Sequence, residues 1–537
     1  MLFNSFTFIG VFLPVVLAGF FLLAGTGRQR LAGLWLTLAS FVFYGWWNPL
    51  YIPLLLGSIV FNFTLGGQLR KKPSQPLLLA GIGANVLLLG YFKYTNFFIT
   101  TLDQVGGFGL TAPHIVLPLA ISFFTFQQIA YLSDANDGSV TEHDFLNYCL
   151  FITFFPHLIA GPITHHKEML GQFSNPDNFR PRLDNLSVGA TLFLLGLFKK
   201  VVLADPLGAT AAPIFAGFAG GGDLSMLDAW KGAMAYTFQL YFDFSGYTDM
   251  AIGLGLLFGI SLPPNFDSPL KAHNIADFWS RWHMTLTRFL TAYIYNPIVL
   301  KITRARVAAG KPLPKKGTMS LGAYVSMVAV PTMATMFLSG IWHGAGWTFI
   351  VFGLLHGVYL ITVAGWRALK ARWGWALDSD KLIHKVPAIG LTFLCVIVGM
   401  VIFRAANLPA ALHMLATMAG LREVVVPPSL AGLPVVSGLI AALHLKVAQP
   451  YFFRPSDLLP LAGLLVFVWA LPNTQQWLGH FRTALNWRPR TYWIETLWPA
   501  FSWRPKATFA VLVGLVGFFA LARALSHAPT EFLYFQF

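Results

Sequence analysis

The sequence predicts an all-α polytopic membrane protein, and three observations carry that prediction. Hydrophobic residues make up 56% of the 537 positions and charged residues only 11%, less than half the roughly 25% of a soluble domain. Apolar stretches repeatedly reach the ~20 residues that cross ~30 Å of hydrocarbon as a helix. Runs such as 8–25, 77–89 and 388–403 are apolar on every face, whereas the strands of a transmembrane barrel alternate.

Taken in order, apolar runs fall near 8–25, 31–47, 50–67, 77–99, 115–132, 145–163, 187–203, 229–260, 318–338, 346–366, 388–403, 433–448, 457–472 and 508–525. They predict about 11 to 14 membrane-embedded helices. Those near Pro113, Pro118, Pro156, Pro162, Pro263 and Pro264 are expected to be broken or re-entrant, because backbone freed by proline must be enclosed in protein or line a cavity. The first run lacks a basic leader and a small-residue cleavage site, so it reads as a retained span.

A net charge of +15 in a soluble protein would suggest nucleic acid. Here the basic residues cluster between apolar runs, at Arg28/Arg30, Arg70/Lys71/Lys72 and Lys301 to Lys316. That is the positive-inside pattern, which excludes nucleic acid as the implied partner and sets these loops in the cytoplasm with the N-terminus outside. Cys149 and Cys395 lie within apolar runs and fit no disulfide or Cys/His spacing. No repeat and no soluble domain longer than a loop is visible, so 1–537 reads as one membrane domain with more polar connections at 404–432 and 473–506.

Chemistry concentrates in 239–366. Asp243, Asp249, Arg281, Trp282 and His283 cluster in a chain that otherwise avoids charge. An ionisable group at the bilayer centre costs at least ~2.5–3.5 kcal/mol, so the two carboxylates need partners or a water-filled cavity. Either they serve substrate, or they are structural, pairing with Arg281 or capping a broken helix. The second island runs Leu338-Ser-Gly340-Ile-Trp342-His343-Gly344-Ala-Gly346-Trp347 and continues to His356. Histidine is the side chain best suited to move a proton near neutral pH. The glycines around His343 are read as leaving room for a substrate. His356, 13 residues on, is expected further along the same helix. A lone intramembrane histidine is commonly structural; the two Trp-His islands together favour function. No His-Glu-x-x-His or Cys/His cluster implies a metal.

At these residues the chain resembles the membrane-bound O-acyltransferase (MBOAT) family, in its bacterial alginate O-acetylase-like branch. The resemblance rests on Tyr241-Phe-Asp-Phe-Ser-Gly-Tyr-Thr-Asp-Met-Ala-Ile-Gly253, Phe278-Trp-Ser-Arg-Trp-His-Met-Thr-Leu-Thr287 and Gly340-Ile-Trp-His-Gly344, in that order. Weaker matches are Ser122 to Gln127, Phe154 to Pro162 and Gly196 to Asp205, so the likeness spans roughly 1–420. It implies helices around a membrane-spanning tunnel, with the family's invariant histidine at His343 and its second at His283. It further implies an acetyl group drawn from acetyl-CoA, a substrate and not a bound cofactor. That group is delivered across the bacterial inner membrane to hydroxyls of an exopolysaccharide or other cell-surface polysaccharide, with a periplasmic partner of serine-esterase-like (SGNH) fold. His343 would be the base, backbone N–H groups near Gly344 to Gly346 or the Trp342 indole would donate to the oxyanion, and His283 would either shuttle the proton or hold the donor near the cytoplasmic mouth. Arg281, with Trp282, Asp243, Asp249 and His356 lining the site, would attract the coenzyme. Where alginate acetylases read Trp-Leu-Arg-Asp-Tyr, this chain has Phe289-Leu-Thr-Ala-Tyr293, which leaves alginate, cellulose and peptidoglycan open as acceptors.

The aromatic end, Phe532-Leu-Tyr534-Phe-Gln-Phe537, is expected to be tied down rather than frayed. It resembles the branch's Phe-x-Tyr-x-x-Phe element, in which tyrosine carries the acyl group, so Tyr534 is a candidate nucleophile. An interfacial aromatic belt is the other reading. The competing functions are transfer of D-alanine or a longer acyl chain, a transporter, and an assembly subunit of a polysaccharide exporter. The chain lacks the matched, interrupted halves that many transporters carry.

Overall fold

The computed structural model describes residues 1–533 apart from 114, 312, 314–318, 375–380, 423 and 488–502. Among these residues eight helical segments are long and apolar enough to cross a membrane: Thr7–Gly25, Pro49–Lys71, Gln75–Gly106, Leu183–Ala219, Leu321–His343, Trp347–Trp373, Ile383–Arg404 and Ala507–Ser526. The protein is an all-α, multi-pass membrane protein. Its described strand pairing is two residues long, Val425–Val426 against Lys446–Val447. The remaining apolar runs are shorter, broken or fully enclosed.

Eight helices position the site. They are α1 Gln75–Gly106, α2 Leu183–Phe198, α3 Met226–Leu257, α4 Met284–Leu290, α5 Val330–His343, α6 Trp347–Trp373, α7 Leu382–Arg404 and α8 Ala507–Ser526.

Proline breaks the chain where the sequence places it. The helix Phe145–Thr153 ends as Phe154 turns to φ −48°, ψ 106°, and Pro156 opens a four-residue helix, Phe155–Leu158. The irregular stretch from there to Thr164 is buried, so its freed backbone groups meet protein instead of lipid.

The central element is α3, capped at its start by a reciprocal Ser225–Asp228 pair and buried at nearly every position from Leu240 to Leu257. It lies against α2 in backbone contact. A Cβ at Gly246 would stand 2.7 Å from the Gly196 carbonyl oxygen, and one at Gly253 2.5 Å from that of Gly189. Glycines seven apart on both helices therefore form the seam, since lipid gives apolar helices no hydrophobic reason to associate and close packing must supply it. At the end of α2 a π-helical turn, Lys199–Ala204, turns two adjacent lysines toward α3. Lys199 Nζ meets Asp249 Oδ2 at 2.6 Å and Lys200 Nζ meets Asp243 Oδ1 at 2.7 Å. Such irregular turns inside helices recur at functional sites.

Candidate active site

The two histidines converge although 60 residues separate them in sequence. His343 is the last residue of α5, and His283 immediately precedes α4. Both are buried, and both line one cavity of about 20 Å³ with Phe244, Trp279, Trp282 and Phe403. That is room for about one water. The Trp342 ring packs against both, 5.9 Å from the His283 centroid and 5.1 Å from that of His343. On the face opposite the Arg28/Arg30 and Arg70–Lys72 loops, a vestibule of about 540 Å³ opens between Trp46, Trp47, Lys93 and Glu531.

His283 is held under strain. Its φ of +44° is left-handed, a conformation worth of order ~1–3 kcal/mol of strain in a residue with a side chain. Asn265 holds it there: its carbonyl accepts from Met284 N at 3.0 Å, and its Oδ1 accepts from Thr285 N at 3.3 Å and from Thr285 Oγ1 at 2.6 Å. Because the Thr285 N–H fixes which way the Asn265 amide faces, His283 Nδ1, 3.3 Å from the same Oδ1, carries the proton. Nε2 is left as the acceptor nitrogen.

His343 owes its position to α1. Lys93 Nζ donates to the carbonyls of Trp342 at 2.5 Å and His343 at 3.3 Å, and Tyr94 Oη donates to that of Ile341 at 2.8 Å. A cation on the last carbonyls of a helix satisfies them and opposes the negative end of the dipole. Sequence reasoning gave neither Lys93 nor Asn265 a role. Lys93 carries the lone charge between Gln75 and Leu102, and that isolation inside an apolar run is itself a signal. Lys93→Met is expected to leave the chain in the membrane and lower turnover about tenfold or more, since small misplacement of a catalytic group costs up to about 10²-fold. Initial rates normalised to protein level measure it.

The glycines around His343 do not open a path for substrate. A Cβ at Gly340 would meet the Phe349 carbonyl oxygen at 2.4 Å, and one at Gly344 the Phe349 ring at 2.2 Å. They allow α5 and α6 to close on each other. His356 is corrected with them: the chain reverses between Gly344 and Gly346, so His356 lies on α6, antiparallel to α5. There Phe352 separates it from His343, with ring centroids 6.1 Å from His343 and 4.6 Å from His356. His356 Nδ1 accepts from Trp279 Nε1 at 3.2 Å.

The charged candidates have partners within the protein. Arg281 pairs with Asp277 at 2.8 Å, not with Asp243 or Asp249. Asp249 takes Lys199 and Gln475, and Asp243 takes Lys200 and the backbone N–H of Leu533 at 2.9 Å. Trp282 stacks on Phe278, and Trp342 on Phe126. Tyr534, with 535–537, lies outside the described residues. The residues just before it, Phe532 and Leu533, are buried, so the chain is tied down there as expected. Phe244 touches both Phe532, at 5.5 Å, and His283, at 4.8 Å.

One group of described side chains could hold a metal ion, Asp134, His165 and His166, whose ligand atoms lie within 4.8 Å of one another. Distant spacing hid it from the sequence. Hydrogen bonding accounts for the arrangement: Asp134 Oδ2 lies 2.7 Å from His165 Nε2 and 2.9 Å from the Tyr293 hydroxyl. Burial pushes His166 down to about 4, and His165 beside it acts the same way. Burial is the largest single influence on Asp134 and opposes its ionisation, but His165, His166 and the Tyr293 hydroxyl together outweigh it and hold the carboxyl below its ordinary value.

A family model for membrane-bound O-acyltransferases matches residues 137–309. The chain is 42% identical to a peptidoglycan O-acetyltransferase of Helicobacter pylori, over 79% of this chain and 81% of that protein. It is 39% identical to a probable alginate O-acetylase of Pseudomonas putida, over 78% and 80% of the two chains. A probable alginate O-acetylase of Pseudomonas fluorescens is 33% identical over the whole of both.

Proposed function

The chain belongs to the membrane-bound O-acyltransferase family and is an O-acyltransferase; from that premise we propose that it moves acetyl groups from cytoplasmic acetyl-CoA to hydroxyls of an extracytoplasmic glycan. Peptidoglycan is the acceptor we assign first. The likeness to the Helicobacter pylori enzyme supports that choice, as does the Thr291-Ala292 pair where alginate acetylases carry Arg-Asp.

The observation that carries the reading is the pair of buried histidines on one small cavity, with the tail residue Phe532 one aromatic ring away. The thioester would reach the cavity from the basic face, where Arg281, Arg367 and Lys385 lie near His273. In the first step the Tyr534 oxygen attacks the acetyl carbonyl, forming the phenyl ester and breaking the carbon–sulfur bond. His343 takes the phenol proton and returns it to the departing thiolate of coenzyme A. A phenol of pKa ~10 needs such a base, yet as a leaving group it passes acetyl on readily. In the second step a hydroxyl attacks the ester and the phenol recovers its proton. A periplasmic partner of serine-esterase-like fold is the proposed recipient that finishes transfer to the glycan.

The test is mass spectrometry of cell-wall and secreted glycans from bacterial cells with and without the gene. Acetyl esters on muropeptides that vanish with the gene are the expected result. Loss of alginate or cellulose acetate would move the acceptor, and loss of D-alanyl esters would move the acyl group. No change in any of these esters would overturn a cell-wall or secreted glycan as the acceptor.

A further inference from the structure

A relay through Tyr534 needs the segment before it to be seated, and four contacts converge there. Lys200 Nζ donates to the Glu531 carbonyl at 3.0 Å, and two residues later Leu533 N–H donates to Asp243 Oδ2 at 2.9 Å. Lys200 and Asp243 are themselves paired at 2.7 Å, with Asp205 on the other side of the ammonium at 2.9 Å. One ion pair thus holds the tail backbone by a carbonyl and by an N–H. Between those two points the Phe532 ring stacks on Tyr247, 4.7 Å between centroids and 26° between planes. Phe3 stacks on Tyr247 as well, at 4.8 Å, and Asn4 Nδ2 donates to the Thr530 carbonyl at 3.2 Å.

Burial follows the same boundary. Residues 525–531 are exposed, whereas Phe532 and Leu533 are 2% and 6% exposed. Lys200 already serves Asp243 as counter-ion through Oδ1. The second carboxylate oxygen takes the peptide N–H of the tail, a charge-assisted bond of the strong class. Recognition through backbone groups on both sides of one aromatic slot fixes which residue enters that slot, and so fixes the register of the residues beyond it.

We propose that Asp243 and Lys200 are positioning residues that clamp Glu531–Leu533 in a single register and so deliver the adjoining tyrosine to the histidine cavity. This rests on the tail-relay reading of the function. Asp243 is then no donor-binding group, and Tyr247 belongs to the seat with Phe532 as its key.

The test uses the full chain with Cys149 and Cys395 as serine and a cysteine probe introduced by Leu533→Cys. A polar maleimide reads whether the tail is seated, independently of catalysis. With Asp243 intact, labelling is slow. In Asp243→Ala, which leaves Lys200 paired with Asp205, and in the pair Lys200→Met/Asp243→Leu, which removes both buried charges and leaves only the partly exposed Asp205 without its lysine, labelling is expected to rise at least about tenfold, the factor that loss of one charge-assisted hydrogen bond carries. Phe532→Ala, which leaves the ion pair untouched, is expected to do the same. Acetyl on Tyr534 falls in step, and the KM for acetyl-CoA stays unchanged because the donor site is not part of the clamp. Unchanged labelling in Phe532→Ala and in the double variant overturns the clamp. So does raised labelling with full acetylation, while Tyr534→Phe run beside it reports separately whether the relay itself is wrong.

Discussion

His343→Gln is expected to remove acetylation of the glycan while leaving the chain in the membrane at its normal level. Loss of a positioned general base lowers the rate about 10²–10⁴-fold, and on cell material that reads as absence of acetyl esters by mass spectrometry. Glutamine is the informative replacement. The His343 ring packs edge-on against Phe403 and Phe352, at 5.3 and 6.1 Å, so alanine would also open a hole in that packing. A side chain of similar bulk with no basic nitrogen removes the proton acceptor alone. Retained acetylation in His343→Gln would end the assignment of this residue as base and leave His283 as the remaining imidazole on the cavity. Binding of acetyl-CoA, measured on the purified protein, is expected to survive the change.

Tyr534→Phe is the second large effect, and it differs from the wild type by one oxygen. The phenyl ring keeps whatever aromatic contacts the tail makes, so an interfacial anchor would be preserved and full acetylation retained. A relay requires the oxygen, and its removal is expected to abolish glycan acetylation as completely as His343→Gln. The two variants part company on the intermediate. Incubated with acetyl-CoA and then digested, the wild-type chain is expected to yield a C-terminal peptide carrying one acetyl group, and neither variant should. If His343→Gln loses activity and Tyr534→Phe keeps it, the thioester passes acetyl directly to its acceptor, and the tail becomes an anchor only.

Much of this protein was legible in the sequence because a membrane leaves few choices. Apolar runs of spanning length can only be helices in lipid, proline inside such a run must break within protein, and two Trp-His islands in an uncharged background mark where chemistry can occur. Those constraints act locally, so composition and spacing determined the all-α architecture and the broken run at 145–163, and singled out His343 and His283 as candidates. What they could not supply was pairing. Asp243 and Asp249 looked alike in sequence, but a π-helical turn gives each a different lysine and gives Asp243 the tail backbone. Gly340 and Gly344 looked like space for a substrate and are instead where α6 closes on α5. His356 looked like a neighbour along one helix and lies on the next. Lys93, 250 residues before His343, settles that histidine through its carbonyl. Hydrogen bonds and ion pairs depend on distances of a few ångströms between segments that are remote in the chain, and only the tertiary structure decides which of them meet.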